Sequence, residues 1–152
     1  MTPAFILCSL IAGALGAVAM SYSMRLISRL GGGDEVDMVI ALGSFFSRTK
    51  KNATQFGLGI HLGSGLLFGV IYGLLFSAIG ITHLFPVVFV GIGFGILHGL
   101  GMAYVLMIYM AEKHPLEEFR EVSLIIGAIH FFGHIVYGAV VGVVIGVGTS
   151  LT

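Results

Sequence analysis

Three long stretches of this chain carry no charge. No Lys, Arg, Asp or Glu occurs in residues 1–24, 52–111 or 122–152. A helix of about 20 apolar residues can cross the hydrocarbon core of a bilayer, because its backbone satisfies its own hydrogen bonds. The first and last stretches each fit one span. The central stretch is too long for one and suits a hairpin of two, broken around residues 80–86. The expected fold is all-α: a polytopic membrane protein formed as one four-transmembrane-helix bundle over residues 1–152. Its spans fall near 4–26, 56–79, 85–111 and 123–147. Composition agrees, since only 9% of residues are charged and the mean hydropathy is +1.08, against roughly 25% charged in water-soluble domains.

A cleaved signal peptide is the competing reading of the first stretch, because Ala17-Val18-Ala19 resembles a cleavage site. Met1-Thr2-Pro3 lacks the basic residue of a signal n-region, and the basic residues follow the apolar run instead, so a retained span is expected.

All seven basic residues lie in two connections. Arg25, Arg29, Arg48, Lys50 and Lys51 stand between spans 1 and 2, and Lys113 and Arg120 between spans 3 and 4. Short basic loops stay in the cytoplasm, so both termini are expected on the periplasmic side of an inner membrane. Acidic residues share those loops and bring the net charge to zero, which leaves no nucleic-acid footprint. The single Cys8 has no intrachain disulfide partner.

Between spans 1 and 2 runs GGGDEVDMVIALGSFFSRTKK. Three glycines end the first helix, and Asp34 with Asp37 resembles an N-cap arrangement. Val36, Val39, Ile40 and Phe46 then recur at helical spacing, so a short interfacial helix is expected over about 34–48, with an ordinary loop as the alternative.

Glycine recurs every fourth residue in three spans: Gly65, Gly69, Gly73; Gly91, Gly95, Gly99; and Gly138, Gly142, Gly146. That spacing clears one helix face, so that backbones approach and gain the dispersion contacts lipid does not supply. The clearance could also admit a flat ligand. A weak internal repeat pairs Met20-Ser21-Tyr22 with Met102-Ala103-Tyr104, and Val70-Ile71-Tyr72-Gly73 with Ile135-Val136-Tyr137-Gly138. Two hairpins of like orientation, related by an axis along the membrane normal, would follow.

Six histidines are present. His83 and His114 read as solvated loop residues. His61, His98, His130 and His134 are intramembrane, where a polar side chain normally faces the bundle interior. At about 1.5 Å of rise per residue, His61 lies roughly 9 Å from the cytoplasmic end, His130 roughly 12–16 Å, and His98 and His134 roughly 18–22 Å. Ser64, Tyr72 and Tyr137 accompany them as candidate supporting groups. One reading is structural, with each imidazole bonded across the bundle. A second is a cofactor site: His98 and His134 as axial ligands of haem b, or His61, His98, His130 and His134 as donors to a transition-metal ion. A third is a proton relay along the histidine ladder, against which the outer half offers little beyond Cys8, Ser77, Thr82 and His83. Met20, Met24, Met102, Met107 and Met110 gather toward the cytoplasmic halves of spans 1 and 3; thioethers suit Cu(I), although filling a core is their commoner use. No intramembrane carboxylate is available for acid–base work, and Ser64 near His61 lacks a third orienting group, so no catalytic activity is expected.

The segments GALGAVAMSYSM, DMVIALGSFF, IHLGSGLLFGVIYGLLF and HFFGHIVYGAVVGVVIG give the chain a resemblance to a family of small four-span bacterial inner-membrane proteins of unknown function. The resemblance covers most of the chain. It implies that His61 and His134-Ile135-Val136-Tyr137-Gly138 are characteristic positions, that His98 and His130 are less clearly so, and no particular activity. The expected role is an accessory or structural subunit of a larger membrane assembly or a homo-oligomer, in contact with lipid; a small transporter is the alternative.

Overall fold

Four helices are long and apolar enough to cross a membrane. They are α1 (Pro3–Leu30), α3 (Ala53–Ile79), α4 (Leu84–Tyr104) and α6 (Leu124–Ser150). Helix α4 continues through a π-helical segment, Val105–Met110, into the single turn of α5 (Ala111–Lys113). A short helix α2 (Met38–Ser47) joins α1 to α3, and no strand occurs among the described residues. The structure is a computed structural model and describes residues 2–30, 37–81, 83–121 and 123–150. The expected glycine stop at 31–33, Asp34 and Val36 of the connecting segment, Thr82 and the Met107 side chain lie outside the described set. Helix α1 runs to Leu30, past the expected end at 26, because Arg25 and Arg29 are good helix formers that remain exposed there.

Helix α2 starts where Asp37 caps it, accepting from the N–H groups of Val39 at 2.9 Å and Ile40 at 3.2 Å. It ends at Arg48, which takes a left-handed conformation and donates its N–H to Ser44 O. The helix is shorter than the expected 34–48 element, and it docks on the foot of α3. Gly43 and Gly57 are the contact: a methyl on Gly43 would strike Ala53 O, and one on Gly57 would strike Val39 O. Val39, Ala41, Gly43 and Ser44 are buried there, while Phe46 stays exposed.

The long helices alternate in direction. Ser9 meets Gly73 and Gly13 meets Gly65 and Gly69, so α1 and α3 are antiparallel; Gly91 meets Gly138 and Gly95 meets His134, so α4 and α6 are too. Helices α1 and α6 then join the two pairs. Gly16 lies under the Tyr137 ring, Met20 and Met24 lie over Gly133, and the Cys8 thiol faces Val144 O at 3.8 Å. Both described termini and the α3–α4 turn share one end, here the terminal end. Helix α2 and the 114–123 connection share the other, the α2 end. Gly80 closes α3 at φ 73°, where a side chain would be strained, and lets Gly80 and Ile81 return their N–H groups to Ser77 O and Phe76 O.

Some interhelical contacts recur between the halves, while others shift by one turn: a methyl on Gly13 meets Gly65 O, whereas one on Gly95 meets His134 O, the counterpart of Gly69 O. Aligning Met20 with Met102 and Tyr72 with Tyr137 carries Ser9 onto Gly91, Gly13 onto Gly95, Gly69 onto His134 and Gly73 onto Gly138. The contact Ser9–Gly73 then superposes on Gly91–Gly138, and Gly13–Gly69 on Gly95–His134. Gly16 beneath Tyr137 becomes His98 beside Tyr72, and the two tyrosine rings meet each other at 5.6 Å. The halves share these contacts, α4 and α6 meet more extensively than α1 and α3, and the two differ in what fills the centre.

Helices α3 and α4 touch differently, through rings. Phe76 stacks on Phe94 at 5.6 Å, Tyr72 meets Phe94 edge-on at 5.5 Å, and Phe68 stacks on His98 at 4.0 Å.

Two substitutions separate tight from open glycines. Gly138→Ala drives a methyl into Gly91 O and is expected to destabilise the bundle by about 1–3 kcal/mol. Gly59→Ala meets nothing within 4 Å and is expected to change stability by less than about 0.5 kcal/mol. Unfolding titrations in mixed micelles read both.

Candidate functional site

The centre of the α2-end half is built from three imidazoles, two phenols and two thioethers. His134 is buried on α6, and its Nδ1–H donates to His130 O at 3.0 Å. A carbonyl only accepts, so this bond fixes the tautomer and leaves the lone pair on Nε2. The His134 ring meets His98 of α4 at 4.5 Å and His130 at 4.7 Å, both edge-on. His98 Nδ1 lies 3.3 Å from the Tyr72 hydroxyl. Tyr137 donates its hydroxyl to Gly65 O at 2.7 Å, tying α6 to α3 where glycine bares the carbonyl. His130 Nδ1 is buried and has no hydrogen-bond partner among the described residues.

His61 is placed differently. Its Nε2 lies 2.9 Å from Ser21 Oγ and 3.2 Å from Ala17 O, both on α1, so it bridges α3 to α1 at the edge of the cluster. The expected four-rung ladder is therefore a group of three with a separate bridge. Ser64, expected on the inner stripe of α3, is exposed; Gly65 takes the inward position instead. At about 3.6 residues per turn Ser64 and Gly65 flank His61 on opposite sides, and the side that packs on α1 is that of Gly65.

The haem expectation does not fit. His98 and His134 share a level, but their rings are already in contact at 4.5 Å. Beside them, α4 and α6 touch backbone to backbone: a methyl on Gly95 would lie 2.6 Å from His134 O, and one on Gly138 would lie 3.0 Å from the Gly95 Cα. No porphyrin-wide gap separates the helices. The four-histidine metal site does not assemble either, since among the described residues no three of His, Cys, Asp and Glu are grouped to hold an ion.

Toward the terminal end the chemistry stops. Beyond the tyrosines the buried side chains are Phe76, Val87, Val141 and Ile145. Ser9 is buried among them, and its hydroxyl is turned back to Phe5 O at 2.9 Å. His83 is exposed at the start of α4, as expected of a turn residue.

His114 is the residue that sequence reasoning placed wrongly. Expected in solvent, it is 1% exposed. Its Nε2–H donates to Ala41 O of α2 at 3.0 Å, and its Nδ1 lies 3.1 Å from both the N and the O of Leu116. Its ring packs between Phe45 and Phe119, at 5.7 and 4.8 Å, and its carbonyl accepts from Arg120 Nε at 2.7 Å. Pro115 next to it suggests a loop, and what buries the ring is α2, far away in sequence. Nearby, Lys50 pairs with Glu118 at 2.6 Å, but both are exposed, so the pair adds little. A shallow crevice beside His114, lined by Met38, Ala41, Leu106, Met110 and Glu121 among others, is too small for more than a water-sized guest.

No family model, no curated protein and no solved structure matches the chain.

Replacing His114 by Ala leaves Leu116 N–H without its partner and removes the bond that ties this connection to α2 through Ala41 O, which keeps the Ser44 hydroxyl as a donor. The change is expected to cost about 1–3 kcal/mol and to speed amide exchange in α2 before any in α6. Hydrogen exchange read by mass spectrometry checks it. Tyr137→Phe removes one interhelical bond and is expected to cost about 0.6–2 kcal/mol in the same unfolding assay.

Proposed function

We propose that the protein is a small, non-catalytic accessory subunit of an inner-membrane assembly, and that it meets a neighbouring membrane helix on the side formed by α3 and α4. One observation carries this reading. Inside the bundle, glycines at four-residue spacing are closed by a facing backbone or side chain, as at Gly13, Gly69, Gly91 and Gly138. On the outside of α3, Gly59 and Gly63 repeat that spacing, and on α4 Gly93 and Gly101 stand eight apart, with nothing within 4 Å of any of them. These two helices are also the least covered: 28% of the most apolar window of α3 and 22% of that of α4 are buried, against 44% for α6. Bare backbone facing lipid gains nothing there and gains dispersion contact against another helix.

Orientation follows from charge. The basic residues stand at the α2 end, which belongs in the cytoplasm and leaves both termini in the periplasm. The proton-relay alternative draws less support. A proton reaching Tyr72 and Tyr137 from the α2 end would face Phe76, Val87, Val141 and Ile145, with the Cys8 thiol packed against Val144 O beyond them and no histidine or carboxylate among the buried residues there.

A photo-reactive side chain at Gly63 or Gly93, irradiated in native membranes, is expected to yield adducts heavier than the monomer. Twice the chain mass would identify a second copy, and any other mass a different subunit. Only monomer and lipid adducts from both positions would overturn the proposal.

A further inference from the structure

The asymmetry of the two halves points to a site. Under the alignment of Met20 with Met102 and Tyr72 with Tyr137, His98, His130 and His134 stand where the first half carries Gly16, Gly65 and Gly69. At Gly65 and Gly69 the first half closes α3 onto α1 with hydrogen alone. Packing therefore does not require imidazoles, and three of them are gathered on one side of the pseudo-twofold axis. Their hydrogen bonding is incomplete. His134 Nε2 carries a lone pair, because its Nδ1–H is committed to His130 O, and His130 Nδ1 is buried with no hydrogen-bond partner among the described residues.

Beside them lie two buried thioethers. A Cβ built on Gly133 would lie 2.8 Å from both Cγ and Sδ of Met24 and 3.1 Å from Cγ of Met20. Gly133 adjoins His134 in the chain and is three residues from His130, hence its neighbour on the surface of α6. The Met24 sulfur therefore packs on α6 beside the face that carries His130, whose ring meets the His134 ring at 4.7 Å.

We propose that His130, His134 and Met24, backed by Met20, form a binding site for one monovalent soft cation, Cu(I). The charge of the donor set selects the ion. Imidazole and thioether are neutral, and no carboxylate occurs in residues 1–24, 52–111 or 122–152; the Cys8 thiol sits at the terminal end against Val144. The desolvation cost of an ion grows as the square of its charge, so a divalent ion pays about four times as much as a monovalent one in this setting, with no anion to offset it. Nitrogen and sulfur donors without oxygen favour Cu(I) among soft ions, and two imidazoles with one thioether suit its low coordination number. The site draws only two donors from histidine and takes its third from a thioether, so it needs no group of three His, Cys, Asp or Glu.

The site stands independently of the docking proposal, since none of its residues lies on the outer faces of α3 or α4. The test uses the whole 152-residue chain in nanodiscs, titrated without oxygen against the coloured Cu(I) complex of bicinchoninate. One Cu(I) is expected to transfer per chain. Met24→Leu, which preserves volume, is expected to weaken transfer tenfold or more, and His130→Phe to abolish it, with helicity and monodispersity unchanged in both. Copper X-ray absorption is expected to show a sulfur neighbour that Met24→Leu removes, and Zn(II) is expected not to compete. No transfer to the wild-type chain would overturn the proposal, as would equal transfer to Met24→Leu and His130→Phe. Should His130→Phe misfold, Met24→Leu with the absorption spectrum decides alone.

Discussion

Everything in this structure depends on backbones touching. Lipid tails are as apolar as Leu or Phe, so burying apolar side chains between membrane helices gains little, and close dispersion contact has to supply the attraction. Glycine at Gly13, Gly69, Gly91, Gly95 and Gly138 brings α1 onto α3 and α4 onto α6 so closely that a methyl at any of them would strike the facing backbone. Two consequences follow. Carbonyls bared by the missing side chains become acceptors, as Gly65 O does for Tyr137. Side chains directed from those tight pairs toward the bundle axis are forced together, which is how His98, His130 and His134 come into ring contact.

The two halves of the bundle along its axis then take different characters. The terminal-end half is sealed by Phe76, Val87, Val141 and Ile145. The α2-end half holds imidazole, phenol and thioether, and it is covered by α2 and the 114–123 connection, pinned by His114 through Ala41 O. The polar centre is thus closed by apolar side chains on one side and has the His114 latch on the other.

The spans were legible in the sequence because a charge in hydrocarbon is expensive, so the gaps between charged residues mark them. The packing glycines were legible for a related reason: spacing of four on a helix can only be one face. Depth along a span was also readable, and His98 and His134 do share a level. Lateral distance was not, and that misled the haem reading. The sign was present, since Gly95 and Gly99 on one helix and Gly138 on the other stand at that same level and require the backbones to meet. His114 was illegible for a different reason. Nothing within a few residues of it announces a partner, and its burial comes from a helix that the sequence placed at the membrane surface. Ser64 shows the limit of reading stripes by eye: a shift of one residue, to Gly65, decides which atom faces the centre.

The central claim is that glycine contact between α4 and α6 presses these imidazoles together in the bilayer. Solid-state NMR of the chain in lipid bilayers, with histidine rings labelled in carbon and nitrogen, measures it directly. The account expects ring-to-ring correlations for the His98–His134 and His130–His134 pairs, none between His61 and His98, and a His134 signal protonated at Nδ1. Absence of the His98–His134 correlation, or a His134 ring protonated only at Nε2, would contradict it.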